Sequence, residues 1–456
     1  MNFPENIRNV IRYLQKFRNA VSVIYLDDRT IGSALYSSHI RDIALLHEAG
    51  LKVVIVPGAR SRIDEVLSGK QIEWHYKDNI RVTDEDAMPL IKMAAFDVSN
   101  AIMTSLAANG ITAIIGNWVR ARAKGILGGF DFGTAGEIER LETSAIRTVL
   151  DDGFIPVFPC IGWNTVGHPY NISSVSLAQQ VAVSLGADKL FFVMFDGQIS
   201  TSRYDIPAEF SLSETGEVPA MNLEEVDLFL AANASKNPDA SEEDGRFSIA
   251  MLLKAAQEAC RKGVTRAHIV DGALDGVLPC EIFSDLGSGT MIYTSNYGKI
   301  RGMNQTDIPA VLAVMRPFIA SGKLLLRTEA DLSARIEDFV VYELDGGVHA
   351  CAALRLYEDG QAEIAAVAVD ESFAHMGIGP KLVDFLLKRA DDANAKSVFI
   401  MTTQAADWFE KLGFLPDSLE SIPAERRAIW TKGRNSKVYR LPLKNRKKEV
   451  KYDFKN

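Results

Sequence analysis

From Val21 onward, strand-like runs alternate with stretches of helical periodicity, and the alternation persists as far as Gly272. The runs are VSVIYLD (Val21 to Asp27), LKVVIVPG (Leu51 to Gly58), ITAIIG (Ile111 to Gly116), FIPVFPCIG (Phe154 to Gly162), KLFFVMFDG (Lys189 to Gly197) and RAHIVDG (Arg266 to Gly272). Between them lie a helix ending near Gly50, one through Ile63 and Leu67, a long one at Ala87 to Asn109, and two more at Ser174 to Leu185 and Phe247 to Lys262. Such an order implies a mostly parallel sheet covered by helices, a doubly wound α/β domain expected over residues 21–297. A helix at Ile7 to Asn19, with Val10, Ile11, Leu14 and Phe17 at helical spacing, precedes it within residues 1–20. The acidic, apolar-poor stretch Asn233 to Gly245 is expected to be a loop.

Around Ile300 the pattern changes. Short strands now outnumber helices, and turn sequences close them: DGG at Asp345 to Gly347 joins FVVYEL to VHACAALRLY, and EDG at Glu358 to Gly360 joins that strand to AEIAAVAVD. An antiparallel meander follows, hence a second, mixed α/β domain expected over residues 298–445, with a basic tail at 446–456. The length of 456 residues agrees, being too great for one ordinary core.

Composition narrows the function classes. A net charge of −9 creates no broad field for nucleic acid or an anionic membrane. No apolar run reaches the roughly 18 residues of a membrane helix, and Met1 to Arg18 lacks the apolar stretch of a secretory signal, so a cytoplasmic location is expected. Cys160, Cys260, Cys280 and Cys351 are scattered without C-x-x-C or zinc spacing, which predicts buried small hydrophobes and no metal.

The segment with chemistry in it begins at strand Ala362 to Asp370, runs through ESFAHMGIGP and enters a helix expected at Lys381 to Ala390. Strand, glycine loop and helix N-terminus in succession make an anion cradle suited to pyrophosphate. Gly377 and Gly379, flanked by Met376 and Ile378, let backbone amides approach phosphate oxygens, and Pro380 suits a first helical position because its missing N–H has no acceptor to lose. Taken alone, G-x-G reads better as a plain strand-to-helix turn. The meander before it and Trp408-Phe409-Glu410-Lys411-Leu412-Gly413-Phe414 after it change that, because together they resemble the GNAT acetyltransferase superfamily. The resemblance implies acetyl-CoA as co-substrate, held by the glycine loop and by backbone amides of Val367, Ala368 and Val369 where strand pairing would splay open. The sequence departs from the superfamily at Ala374, where Arg or Gln leads the glycine loop, and at Phe409, where a tyrosine often serves as general acid. The attacking amine must lose a proton, and Glu363 is the candidate base, its alternative being a solvated strand carboxylate.

Beyond the GNAT portion, Val56-Pro57-Gly58-Ala59-Arg60 with Ile63-Asp64, Asn79 to Asp84, Ile282-Phe283-Ser284-Asp285 leading to Gly287-Ser288-Gly289-Thr290, and Gly433-Arg434-Asn435-Ser436 occur in an order that resembles the N-acetylglutamate synthase family. Those enzymes join an amino-acid-kinase-like domain to a GNAT domain, and the likeness runs over nearly the whole chain. It implies L-glutamate as acetyl acceptor. Arg327 would take the α-carboxylate, and Arg434, Ser436 and one of Arg426 or Arg427 the side-chain carboxylate, since planar guanidinium groups suit carboxylates best. Thr402, where the family has Ser or Thr, is grouped with the catalytic residues; read without the family, it simply ends a strand.

The resemblance also implies L-arginine as an effector of the first domain, near Glu281, Gly287, Gly289 and Thr290, with Tyr13 and Phe17 of the N-terminal helix closing over it, and a homo-oligomer joined through that domain. Kinase chemistry is not expected: Asp27-Asp28 stands in place of a glycine pair and would repel triphosphate, unless the pair holds Mg²⁺. Competing expectations are a protein-lysine acetyltransferase governed by an amino-acid-binding domain, a bifunctional synthase and kinase, and an arginine sensor that binds coenzyme A without turnover.

Overall fold

A computed structural model of the chain describes residues 17–208, 210, 212–213, 215–234, 248–283, 288–294, 298–344, 347–370, 373, 377–430 and 436–443. They form two compact units, divided between residues 295 and 296. The N-terminal helix, apart from Phe17 to Asn19, most of the acidic loop and the basic tail lie outside the described residues.

The first unit is built on eight strands, β1 (Val21–Leu26), β2 (Lys52–Pro57), β3 (Ala113–Ile115), β4 (Ile155–Val157), β5 (Lys189–Met194), β6 (Ala220–Asn222), β7 (Arg266–Asp271) and β8 (Thr290–Tyr293). Their order across the sheet is β6-β8-β7-β5-β1-β2-β4-β3, and every adjacent pair is parallel except β7 with β8. The mostly parallel, doubly wound sheet is therefore present. Strand β1 shows why it must be covered twice: Val23 and Tyr25 enter one core, while Ile24 and Leu26 enter another on the opposite face. Each such side chain contributes about 1.5–3 kcal/mol when fully buried. Helix Ser174–Leu185 falls where its periodicity places it, capped by Ser173, which accepts from the Ser176 amide, and closed by Gly186 at φ +57°.

One expected strand is divided. Phe154 to Gly162 forms Ile155–Val157 in the large sheet and Ile161–Trp163 in a separate four-stranded sheet with Pro169–Asn171, Val119–Ala123 and Gly136–Leu141. Pro159 lies between the halves and has no N–H with which to continue a ladder. A hairpin of His75–Lys77 and Ile80–Val82 turns through Asp78 and Asn79 at φ +52° and +60°, the two-residue turn with both centres left-handed.

The second unit has seven strands, β9 (Lys299–Gly302), β10 (Phe339–Leu344), β11 (Gly347–Leu356), β12 (Gln361–Val369), β13 (Ser397–Thr402), β14 (Leu415–Asp417) and β15 (Lys437–Pro442), ordered β9-β10-β11-β12-β13-β15-β14. The meander β10-β11-β12 is antiparallel as expected, and β12 with β13 is parallel. Beneath helix Ile308–Ala320 its core gathers Val311, Met315, Phe339, Val341, Cys351 and Ala368. Cys160, Cys260 and Cys351 are buried, but Cys280 is exposed, a correction to the expectation for all four. Among the described residues no helix is long and apolar enough to cross a membrane.

Candidate active site

The parallel ladder between β12 and β13 is short. It pairs Gln361 to Glu363 with Ser397 to Phe399 and ends there, while β12 continues along β11 and β13 continues along β15. Ala366 carries φ +54°, and the register of β12 slips by one residue opposite Cys351 to Ala353. A bulge of this kind bends and twists its strand, here away from β13. The wedge holds a cavity of about 440 Å³, bounded by Ile364 to Val367 and Val369 on one side, Ile400 to Ala405 on the other, and Trp408 and Phe409. Phe318, Lys323 and Leu324 add a wall that no motif had marked.

At the cavity stands helix Ile378–Asp392, with Gly377 as its N-cap at φ +61°. No side chain caps it, and the Lys381 amide is the first to turn back, to the Gly377 carbonyl at 3.5 Å. The Ile378 and Gly379 amides thus precede the first intrahelical bond, which with the helix dipole is what an anion needs. The helix begins three residues before the expected Lys381, so Pro380 is its third residue rather than its first. The physical reason survives the shift, because the third position also lacks an intrahelical acceptor for its N–H.

The two glycines differ. A Cβ on Gly377 would meet nothing within 4 Å, so its need is the left-handed backbone, whereas a Cβ on Gly379 would lie 3.0 Å from Trp408 Cζ2 and 3.8 Å from Val369 Cγ2. Val367, Val369, Gly379 and Pro380 line the cavity. Ala368 and Ile378 do not, since both side chains are buried in the protein interior. Met376 lies outside the described residues.

Glu363 is 5% exposed, which removes the solvated-carboxylate alternative. Both of its oxygens accept from Arg426 Nε at 2.8 Å, and Oε2 also accepts from the Tyr357 hydroxyl at 2.7 Å. Burial first, and then Glu363, push the Tyr357 hydroxyl above its ordinary range, so it remains a donor. Glu363 sits at the root of the wedge, one residue before Ile364, rather than among the residues bounding the cavity. Neither Tyr357 nor its bond was legible in the sequence.

Thr402 bounds the cavity, and its Oγ1 accepts the Ala405 amide at 2.9 Å. Arg327 is half-buried with its guanidinium carbon 5.4 Å from the Phe339 ring centre; burial and then Arg335 hold its pKa below the ordinary value, while Glu363 acts in the opposite sense. Arg427 is exposed and bonds the Glu420 carbonyl at 3.4 Å. Ser436 immediately precedes β15, and Arg434 lies outside the described residues.

In the first unit, Glu281 Oε1 meets His268 Nδ1 at 2.6 Å, and Oε2 accepts the Ser288 and Gly289 amides at 2.5 and 2.9 Å. Thr290 Oγ1 donates to the Val218 carbonyl at 2.6 Å. Glu281 is therefore bonded within its own unit to His268, Ser288 and Gly289. Nearby, Phe17 is buried with Lys189 Nζ 4.2 Å and the Arg266 guanidinium carbon 5.6 Å from its ring centre. Lys189, Arg266 and His268 escaped the sequence reading, although cations opening the apolar runs of β5 and β7 were a usable signal. Tyr13 and Gly287 lie outside the described residues. At the carboxyl end of β1, buried Asp27 is pushed up to about 7 by burial and by Asp28, against Arg29.

Comparison with known proteins identifies both units. The amino acid kinase family model matches residues 26–271, and the acetyltransferase (GNAT) family model matches residues 315–414. The chain is 31% identical over 449 residues to an amino-acid acetyltransferase of Vibrio vulnificus, covering 96% of this chain and 98% of that protein. It is similar in structure to the N-acetylglutamate synthase of Neisseria gonorrhoeae complexed with coenzyme A and L-arginine, with a TM-score of 0.76 and 28% identity over 98% of this chain and all of that one. The same Neisseria enzyme complexed with coenzyme A and N-acetyl-glutamate gives a TM-score of 0.59 and 29% identity with the same coverage.

Proposed function

The chain belongs to the amino-acid acetyltransferase family, the N-acetylglutamate synthases, and we propose that the wedge between β12 and β13 is where acetyl passes from acetyl-CoA to the α-amine of L-glutamate. The observation that carries this reading is the early end of the β12–β13 ladder beside a helix opened by Gly377. It leaves strand backbone for the pantetheine arm and first-turn amides for the diphosphate.

Glu363 takes the proton of the arriving ammonium through a water at the root of the wedge, with Arg426 and Tyr357 fixing its carboxylate. The freed amine attacks the thioester carbon, and amides of β12 stabilise the oxyanion. Collapse breaks the C–S bond. A thiol pKa near roughly 8.5 lets coenzyme A leave as thiolate; the Thr402 hydroxyl, which accepts the Ala405 amide, can donate a hydrogen bond to it, and the proton the thiolate takes up is the second one of the attacking nitrogen, passed through water. Phe409 offers no such hydrogen bond. Arg327 receives the α-carboxylate, while Arg434, Ser436 and the terminal nitrogens of Arg426, which are not bonded to Glu363, receive the side-chain carboxylate. Arg427 is the lesser candidate because it is exposed.

L-Arginine is read as the effector of the first unit, its α-carboxylate toward Lys189 and Arg266 near Phe17, with Glu281, Gly289 and Thr290 shaping the wall. A homo-oligomer joined through this unit is part of the same reading, and light scattering tests it. The test of the reaction is release of free thiol from acetyl-CoA that requires L-glutamate; thiol release with peptide lysines and not with glutamate would sink it.

A further inference from the structure

Among the described residues that line the wedge, Lys323 is the only one with an ionisable side chain. The rest of the wall is apolar, as at Leu324 and Ile364, or polar without charge, as at Thr402 and Gln404. The place of Lys323 is set by the end of helix Ile308–Ala320. Gly322, at φ +74°, turns the chain back and donates its amide to the Ile319 carbonyl at 3.0 Å. The Lys323 and Leu324 amides both donate to the Phe318 carbonyl, at 2.8 and 3.0 Å, so the last turn of the helix is closed and Phe318, Lys323 and Leu324 share one wall. The helix dipole favours a cation at this turn, which accounts for a lysine here but not for its place on the wall of a cavity.

The wedge offers a thioester to an amine. L-Glutamate brings one from solution, and Lys323 carries another on the wall. A tethered group meets its partner at an effective concentration on the order of millimolar and needs no binding step. L-Glutamate prevails while the guanidinium contacts keep the acceptor place filled, and Lys323 is the remaining amine when that place is empty.

Resting on the acetyl-transfer reading of the wedge, we propose that Lys323 is a self-acetylation site, whose ε-amine takes the acetyl group of acetyl-CoA when L-glutamate is scarce. The Lys323 ammonium gives one proton to water, and Nζ attacks the thioester carbon. The C–S bond breaks as the C–N bond of the new amide forms, and the second proton of the nitrogen passes through water to the coenzyme A thiolate. No other reactant is needed. The acetylated side chain has lost its charge and takes up room on the wall of a cavity of about 440 Å³, so the modified chain transfers acetyl more slowly.

The test incubates the full chain with acetyl-CoA carrying a labelled acetyl group and without L-glutamate, follows thiol release, and maps the label by mass spectrometry of peptides. A single thiol should be released per chain before release stops, with the label on Lys323 at least tenfold sooner than on the exposed Lys92 and Lys299. Saturating L-glutamate should slow labelling of Lys323 at least fivefold and leave the other two unaffected. Lys323→Arg keeps a cation but takes no acetyl, so the single release should vanish. Chains labelled beforehand should turn over L-glutamate at least fivefold more slowly. Labelling of Lys323 no faster than of Lys92 and Lys299, labelling indifferent to L-glutamate, or undiminished turnover by labelled chains would each overturn the proposal. The labelling needs no variant, and fresh chains given L-glutamate in parallel test the wedge itself. Turnover with an unlabelled Lys323 overturns this proposal alone, whereas no turnover at all overturns the reading on which it rests.

Discussion

Arg426 Nε lies 2.8 Å from each carboxylate oxygen of Glu363, and the two side chains are only 15% and 6% exposed. A surface pair of this kind is worth little, but this one is largely out of water, and removing one partner of a buried pair costs about 3–5 kcal/mol. Glu363→Gln should lower kcat about 10²- to 10⁴-fold, because an amide accepts no proton and turns a donor toward Arg426. Arg426→Gln should lower the urea midpoint by the cost of an unpaired buried carboxylate and also raise KM for L-glutamate, whose side-chain carboxylate the same guanidinium receives. Thiol release and urea titration separate the two; unaltered turnover in Glu363→Gln would remove it as the base.

Tyr357 touches Glu363 and not the cavity lining, so it is a positioning residue. Tyr357→Phe removes one hydrogen bond, worth about 0.5–1.5 kcal/mol, and kcat should drop roughly two- to tenfold. KM for L-glutamate should move less than about twofold, since uniform binding is untouched. A rise in KM with kcat unchanged would mean that Tyr357 shapes the substrate site instead.

The two glycines at the helix start should respond differently to alanine. Gly377→Ala forces a Cβ into a left-handed residue with open space around it, at a cost of about 1–2 kcal/mol, and should weaken coenzyme A binding by moving the first-turn amides. Gly379→Ala keeps its helical backbone but presses on the Trp408 indole, for about 1–3 kcal/mol of overpacking and a change in tryptophan fluorescence without ligand. Calorimetry with coenzyme A and fluorescence of the free protein check the pair. An unchanged emission spectrum in Gly379→Ala would show that Trp408 yields freely.

How far the sequence could be read follows from these residues. Gly377, Val367 and Glu363 were legible because strand alternation, a glycine before a helix and a charge within an apolar strand are local signals. The root of the wedge was not, because Tyr357, Glu363 and Arg426 meet through strand pairing and tertiary packing across 63 residues of chain, and no periodicity encodes that distance. The helix start was misplaced by three residues because a proline is acceptable anywhere in the first turn. The divided strand at Pro159 escaped notice because an apolar run continues on both sides of it. The bonds of Glu281 to the amides of Ser288 and Gly289 were not legible, since backbone donors are invisible in a string of side chains.

Asp27 makes a test of the carboxyl end of β1. Its pKa is pushed from 3.8 up to about 7 by burial and then Asp28. Across that window the unfolded chain has lost a proton that the folded chain keeps, so stability declines as pH rises through it. Asp27→Asn removes the penalty and should raise stability at about pH 8 by roughly 1–3 kcal/mol, with no change near pH 4. If Asp27 and Asp28 instead held Mg²⁺, added Mg²⁺ would raise the melting temperature of the unaltered protein and Asp27→Asn would abolish that rise.

His268 sets the opposite slope. Burial first drives its pKa from 6.5 down to about 4; the bond and charge of Glu281 resist this, and Lys189 and Arg266 assist it. Between those values the unfolded imidazole carries a proton that the folded one refuses, so the unfolded state binds more protons and stability is lost as pH falls from about 6.5 toward 4. The loss should total about 3 kcal/mol. Glu281 extends it to lower pH: burial pushes its carboxyl up, but the His268 bond and the Ser288 and Gly289 amides outweigh burial and hold it below its ordinary value. The charged form that anchors those two amides is thus kept until pH falls through the lowered value. His268→Gln still offers Glu281 a donor but does not titrate, so the slope between about pH 4 and 6.5 should flatten while the loss below it remains. Urea titrations of the first unit's transition at several pH values measure both. A slope in that window that persists in His268→Gln would place the titrating group elsewhere, and the neutral imidazole would no longer explain how a buried cluster containing Lys189 and Arg266 tolerates a third basic side chain.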